Sequence, residues 1–218
     1  LVGQPTHARS IGVTGAPGVG KSTLVNALVS SYRGQGRRVG VLAVDPTSPF
    51  SGGAVLGDRV RMSDHALDRG VFIRSMASRG HLGGLSEATG DAVTILDAAG
   101  FDVVIVETVG AGQNEVEVQA LTDTVVLVLM PGSGDAIQAI KAGVMEIPDV
   151  IVINKCDRPG ADVLAGEVES ALTLVPPDGW VPPVILTQAL DGQGVADAWD
   201  AVERHRADLA ATDTAGAR

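Results

Sequence analysis

The segment Gly15-Ala16-Pro17-Gly18-Val19-Gly20-Lys21-Ser22 constrains the fold of this chain more than any other. It follows the apolar run Ser10 to Thr14 and precedes a stretch in which Leu24, Val25, Leu28, Val29 and Tyr32 share one helical face. A G-x-x-x-x-G-K-[ST] pattern between a strand and a helix is a loop whose glycines let backbone amides wrap around phosphate oxygens. The helix N-terminus adds partial positive charge. Gly15, Ala16, Pro17, Gly18, Val19 and Gly20 are therefore expected to cradle phosphates, with Thr23 beside them. Lys21 is expected to bridge the terminal phosphates and Ser22 to ligate Mg²⁺.

Six further short runs repeat the strand signal: Val39 to Asp45, Val71 to Ser75, Val103 to Glu107, Val125 to Met130, Val150 to Asn154 and Val184 to Thr187. They are apolar throughout rather than alternating, which marks strands buried on both faces. A second helical face is read from Val93, Ile95 and Leu96, with Ala99 nearby. The βαβα order predicts a three-layer, doubly wound α/β fold with a mostly parallel sheet and its ligand site at the carboxyl ends of the strands. A length of 218 residues suits one domain, with its core at about 9–210 and a small, polar tail, 211–218, that is expected to fray. The Pro-rich stretch 176–183 reads as a loop within that domain, because a strand and a helix follow it.

The net charge of −10 argues against a nucleic-acid partner, since phosphate-backbone binding needs clustered cations. Arg59, Arg61, Arg69, Arg74 and Arg79 run the other way, either as a solvated face or as a surface toward phosphate or a partner. No apolar run is long enough to span a bilayer, so no membrane association is expected. The first ten residues carry neither a secretory nor a transit pattern, and a single cysteine, Cys156, cannot form an internal disulfide. The expected compartment is the cytoplasm.

Asn154-Lys155-Cys156-Asp157 closes a predicted strand in the N-K-x-D pattern that reads guanine. The Asp157 carboxylate can accept from the ring N–H and the exocyclic amine together, a pair of donors that adenine lacks. Lys155 would lay its stem along the base, and Asn154 would tether the surrounding loops. By itself the tetrapeptide reads equally well as a solvated turn. Downstream of a phosphate loop it points to GTP and GDP.

Glu107-Thr108-Val109-Gly110 closes another strand. An acid there can hold a Mg²⁺-bound water, and the Gly110 amide can touch the γ-phosphate. Asp45 points a second carboxylate at the same sheet edge. Asp58 reads either as a metal-site acid or as the N-cap of a helix starting at Arg59. Gln113 reads either as the residue that orients the attacking water or as a polar surface residue at a helix start. The scarcity of other catalytic groups suits phosphoryl transfer, where positioning and charge neutralisation supply most of the rate. His7, His65, His81 and His205 are scattered, without the spacing of a transition-metal site.

Three further blocks accompany these motifs: Ala43 to Gly53 with Leu56 to Met62, Phe72 to Ser86, and Pro131 to Lys141. Together with Glu107 to Glu115 they resemble the MeaB/ArgK/MMAA group of P-loop GTPases, over residues 10 to 205. The resemblance implies a SIMIBI-type GTPase that chaperones an adenosylcobalamin-dependent acyl-CoA mutase, typically methylmalonyl-CoA mutase, gating cofactor loading and protecting the loaded enzyme. It accounts for Glu rather than Asp at position 107. By the same resemblance, Asp45, Asp58 and Glu107 are the Mg²⁺-site acids, and Asp135, Gln138 and Lys141 belong to a switch segment that carries the nucleotide signal to the mutase. Asp135 also reads as an ordinary helix N-cap.

Thr187, Gln188, Ala189 and Leu190 stand where the group has a Ser-Ala guanine-contact loop, with Gln188, Ala189 and Leu190 as the base contacts, and the Ala189 amide is expected to reach the guanine carbonyl. Relatives carry a leading helical segment and a dimerisation arm that this sequence does not match, which bears on whether it forms the group's homodimer. The competing readings are a small-molecule kinase or transport-associated NTPase, which needs a substrate pocket with a base, and a metallochaperone GTPase, which needs a soft-metal site.

Overall fold

A computed structural model describes residues 8–45, 62–65, 67–77, 87–108, 115–134, 147–174 and 179–216. The elements among them are β1 (Arg9–Thr14), α1 (Lys21–Gly34), β2 (Val39–Asp45), β3 (Val71–Ala77), α2 (Glu87–Ala98), β4 (Val103–Thr108), α3 (Glu115–Leu121), β5 (Thr124–Leu129), β6 (Val150–Asn154), α4 (Ala161–Leu172), β7 (Val184–Thr187) and α5 (Val195–Gly216). The strands form one seven-stranded sheet in the order β3-β2-β4-β1-β5-β6-β7, and every neighbouring pair is parallel.

All seven runs predicted as strands are strands. Their lack of alternation has the expected cause, since every residue of β4, β5 and β6 is buried. β1 and β4 lie side by side near the middle of the order, and the chain leaves them toward the same edge of the sheet. Such a position, at the carboxyl ends of central parallel strands, is where α/β sheets open a ligand crevice.

One face of the sheet is covered by α1 and α5. α1 buries Leu24, Val25, Leu28, Val29 and Tyr32, the stripe read from the sequence, against Ile11, Val13, Val103 and Ile105. Each such aliphatic side chain contributes on the order of 1.5–3 kcal/mol. At the foot of this face the Tyr32 ring meets Trp199 edge-on, and its hydroxyl donates to Glu203, which also pairs with Arg9. Burial and the Glu203 carboxylate push the Tyr32 phenol well above its usual range.

On the opposite face, Leu96 of α2 packs among Leu42, Val44, Val104 and Val106. Ile95 does not share that face. It is 56% exposed, because one residue of helix turns the side chain by about a quarter circle away from Leu96. Residues 179–183 form an irregular connection into β7, as expected of the Pro-rich stretch. Helix α5 continues through Gly216, taking in residues 211–216 of the tail expected to fray.

Candidate functional site

The loop 15–20 leaves β1 and enters α1 at Lys21. Two of its glycines are required by contact as well as by conformation. Gly15 has φ 137°, and a Cβ there would lie 2.2 Å from the Val128 carbonyl oxygen. Gly20 has φ 100°, and a Cβ there would lie 2.2 Å from Asn154 Nδ2. L-residues rarely adopt such backbone angles, so both positions take glycine for two separate reasons. Val19 anchors the loop by burying its side chain in the α1-side core, while Pro17 and Gly18 stay exposed.

Lys21 is 6% exposed, and its Nζ donates to the carbonyls of Gly15 at 2.6 Å and Ala16 at 2.9 Å. The ammonium is thus held inside the curl of the loop. Ser22 Oγ donates to Glu107 Oε1 at 2.6 Å, and both residues are buried. Thr23 faces solvent. A serine hydroxyl and a carboxylate in contact beside a phosphate-binding curl are hard oxygen donors of the kind Mg²⁺ prefers, so the residues present fit that ion.

Asp45 ends β2, whose register sets Ala43 beside Glu107 and Val44 beside Thr108. Its backbone therefore reaches the same sheet edge one step further along. Asp58, Gly110, Gln113, Asp135, Gln138 and Lys141 lie outside the described residues. Arg69 and Arg74 are exposed, and Arg74 sits on the terminal strand β3, separated from β1 by β2 and β4. That places it away from the phosphate loop.

The second cluster forms where β6 and β7 end. Asn154 is 3% exposed, and its side chain makes three contacts. Nδ2 donates to the Val19 carbonyl at 2.9 Å, and Oδ1 accepts from Thr187 Oγ1 at 3.1 Å and from the Ala189 amide at 3.0 Å. Lys155 has φ 59° and is the one non-glycine residue with positive φ among the described residues. Its Nζ reaches the Gly18 carbonyl at 2.6 Å. Asp157 is exposed in the following turn.

The loop 188–190 follows directly on β7. The Ala189 amide is engaged by Asn154, and Gln188 turns its side chain onto Asp191 at 2.5 Å. Leu190 is 83% exposed. The reason lies in the loop closure, where Gln188 and Gln193 form an antiparallel bridge and Ala189 is drawn into the core. Sequence reasoning placed Thr187 at the head of this loop without giving its side chain a contact. It is placed against Asn154 by the β6–β7 register, which only the strand order reveals.

The curl 15–21, the acid Glu107 near the end of β4 and the Asn154 turn thus meet at one sheet edge. The model of the family described as methylmalonyl-CoA mutase-associated GTPase MeaB matches residues 1–218. This chain belongs to the MeaB family.

A provisionally named GTPase of Pyrococcus horikoshii is 55% identical to this MeaB-family chain over 204 residues, 92% of this chain and 64% of that protein. The mouse methylmalonic aciduria type A homolog, a mitochondrial protein, is 37% identical over 221 residues, 99% of this chain and 53% of its own length. Among solved structures, a crystal structure of an LAO/AO transport system kinase superposes with a TM-score of 0.77 at 34% identity, over 94% of this chain and 61% of that one. The MeaB-family chain therefore spans less than two thirds of each of these relatives. Among the described residues, no helix is long and apolar enough to cross a membrane.

Proposed function

We propose that this MeaB-family chain binds GTP with Mg²⁺ and hydrolyses it, and that the nucleotide cycle serves an adenosylcobalamin-dependent acyl-CoA mutase. The observation that carries the reading is the bond from Asn154 Nδ2 to the Val19 carbonyl, which joins the guanine-type turn to the phosphate loop. Neither motif is then an isolated pattern.

In this reading the amides of residues 15–22 and the α1 N-terminus bind the phosphates. Lys21 exchanges the Gly15 and Ala16 carbonyls for phosphate oxygens. Ser22 and Glu107 hold Mg²⁺, joined by Asp45 and Asp58. The ion supplies neutralisation of charge that develops on the transferred phosphoryl group. Gly110 contacts the γ-phosphate, and Gln113 orients the attacking water. Asp157, exposed in the structure, becomes desolvated only against a base, which makes a donor pair on that base necessary. The Ala189 amide contacts the guanine carbonyl by giving up Asn154 Oδ1.

The family description and the name of the mouse relative support the mutase partnership. Asp135, Gln138 and Lys141 would carry the signal, after the Gly132 turn at φ 75°. The likeness to a protein named a transport system kinase supports a second reading, a kinase that passes the γ-phosphate to a small molecule.

Hydrolysis of GTP and ATP, measured with and without a cognate mutase, separates these readings. The expected result is slow intrinsic GTP turnover, at roughly 10⁻⁴ to 10⁻² s⁻¹, accelerated by the mutase and abolished in Lys21→Ala. Asp135→Ala and Lys141→Ala should keep GDP affinity and lose the acceleration. Transfer of labelled γ-phosphate to an acceptor other than water would favour the kinase instead.

A further inference from the structure

β3 is a terminal strand, and among the described residues it pairs with β2 alone. Its seven residues are enough to template another strand, whereas the four of β7 make the short edge by which sheets discourage pairing. The Gly70 carbonyl accepts from the Val39 amide, so by alternation Phe72, Arg74 and Met76 turn their backbone groups toward β2. Val71, Ile73 and Ser75 turn theirs outward. The Val71 amide donates to the Asp68 carbonyl, which leaves, among the described residues, the N–H and C=O groups of Ile73 and Ser75 aligned along the outer edge.

The two faces of this edge differ. Phe72 and Arg74 are exposed on the face that carries α2, where the Phe72 ring meets Phe101 edge-on and the Arg38 guanidinium lies over Phe101 at 4.4 Å. Val71 and Ile73 point to the opposite face, half-buried against the α1-side core. The charges run against those of the whole chain. Its net charge is −10, yet Arg69 and Arg74 are both exposed, and among the described residues neither pairs with a carboxylate. The acids close by are engaged: Asp68 by the Arg33 guanidinium, and Asp102 by Arg37 and the Arg38 amide.

We propose that the outer edge of β3 is a docking strand for an extended acidic segment of a partner protein, with apolar residues at alternate positions. Such a segment adds to the sheet through the backbone groups of Ile73 and Ser75. Side chains of paired strands share faces, so its carboxylates lie beside Phe72 and Arg74, with Arg69 at the entry to the strand, and its apolar residues lie beside Val71 and Ile73. Charge complementarity selects an acidic occupant, because like charges set opposite one another in paired strands are unfavourable. A nucleic acid offers phosphates to the arginines but no alternating N–H and C=O groups to the edge.

The probe is a fluorescent synthetic peptide of alternating glutamate and valine, titrated with the full chain by anisotropy. Its comparisons carry lysine in place of glutamate, or N-methyl groups on alternate amides, and a single-stranded oligonucleotide presents phosphates instead. The glutamate peptide should bind saturably, weaken as salt rises and slow hydrogen exchange at the Ile73 and Ser75 amides. Arg74→Glu and N-methylation should each weaken it by about tenfold, the first through charge and the second through lost backbone bonds. No saturable binding, or equal binding of the lysine peptide, overturns the proposal. So does indifference to N-methylation, since the contact would be charge alone, or indifference to Arg74→Glu, since Arg74 would then only guard the edge against self-association. Tighter binding of the oligonucleotide would assign the patch to nucleic acid and overturn it as well. Arg74→Glu should bind GDP as the wild type does, so failure of the docking strand leaves the nucleotide reading intact.

Discussion

Lys155 Nζ donates to the Gly18 carbonyl oxygen at 2.6 Å, so the side chain that would lie along a bound base also holds the tip of the phosphate loop. Its own backbone sits at φ 59°, an uncommon angle for a residue with a Cβ. Replacing Lys155 by alanine keeps that backbone demand and removes the bridge. GDP affinity should fall by about ten- to a hundredfold, in line with the ~1.5–3 kcal/mol of a charge-assisted hydrogen bond, while the melting temperature changes little. Titration with a fluorescent GDP analogue checks this, and undiminished affinity would show the bridge to be incidental.

Asp157→Asn should exchange the preferred base. With an amide in place of the carboxylate, the site offers a donor where guanine also donates, so GDP should weaken by about a hundredfold and xanthosine diphosphate should bind better than GDP. Calorimetry with the two nucleotides decides it. Equal affinity of the wild-type chain for ADP and GDP would remove Asp157 from base reading.

Gly20→Ala places a methyl group 2.2 Å from Asn154 Nδ2 at a backbone angle of φ 100°. Either the phosphate loop or the Asn154 turn must yield, and the Asn154 to Val19 bond is lost in both cases. The variant should lose measurable nucleotide binding and about 1–3 kcal/mol of stability. Urea unfolding with GDP titration reads both, and full nucleotide affinity would contradict the close approach.

A pH prediction arises at the other end of the sheet. His205 on α5 is 4% exposed, with Nδ1 at 2.9 Å from Thr124 Oγ1 and Nε2 at 3.2 Å from Asp149 Oδ1, and the Trp180 ring lies beside it. Burial raises the Asp149 carboxyl above its usual range, against the opposing influence of the Val125 amide and His205. A carboxyl raised in the folded state binds its proton more tightly there than in the unfolded chain. Its contribution is full below the ordinary carboxylate range and is lost as pH rises through the raised value. Relative to Asp149→Asn, the wild type should therefore lose melting temperature as pH climbs from about 4 toward neutrality. A constant difference across that range would refute the raised carboxyl.

The seven strands were readable because a parallel sheet covered on both faces needs uninterrupted apolar runs, and the chain has seven of them. The α1 stripe was readable because helical period alone sets it. Ile95 was misplaced because it was grouped with its neighbour Leu96, which is buried with Ala92 and Val93 beside it, although adjacent helical residues point about a quarter circle apart.

The phosphate loop and the Asn154 turn were visible in the chain alone, since each is a contiguous motif whose residue types follow from the local chemistry. What the chain alone could not determine is which side chains meet across the sheet. Ser22 finds Glu107, Asn154 finds Val19 and Thr187, and Thr108 finds Thr14 only once the strand order β3-β2-β4-β1-β5-β6-β7 brings those strand ends together. The orientation of Gln188 and Ala189 was likewise decided by loop closure, because a bridge to Gln193 and the pull of the core compete with any local preference. Contiguous motifs record local chemistry, while contacts between distant residues depend on strand order and register, which no single segment encodes.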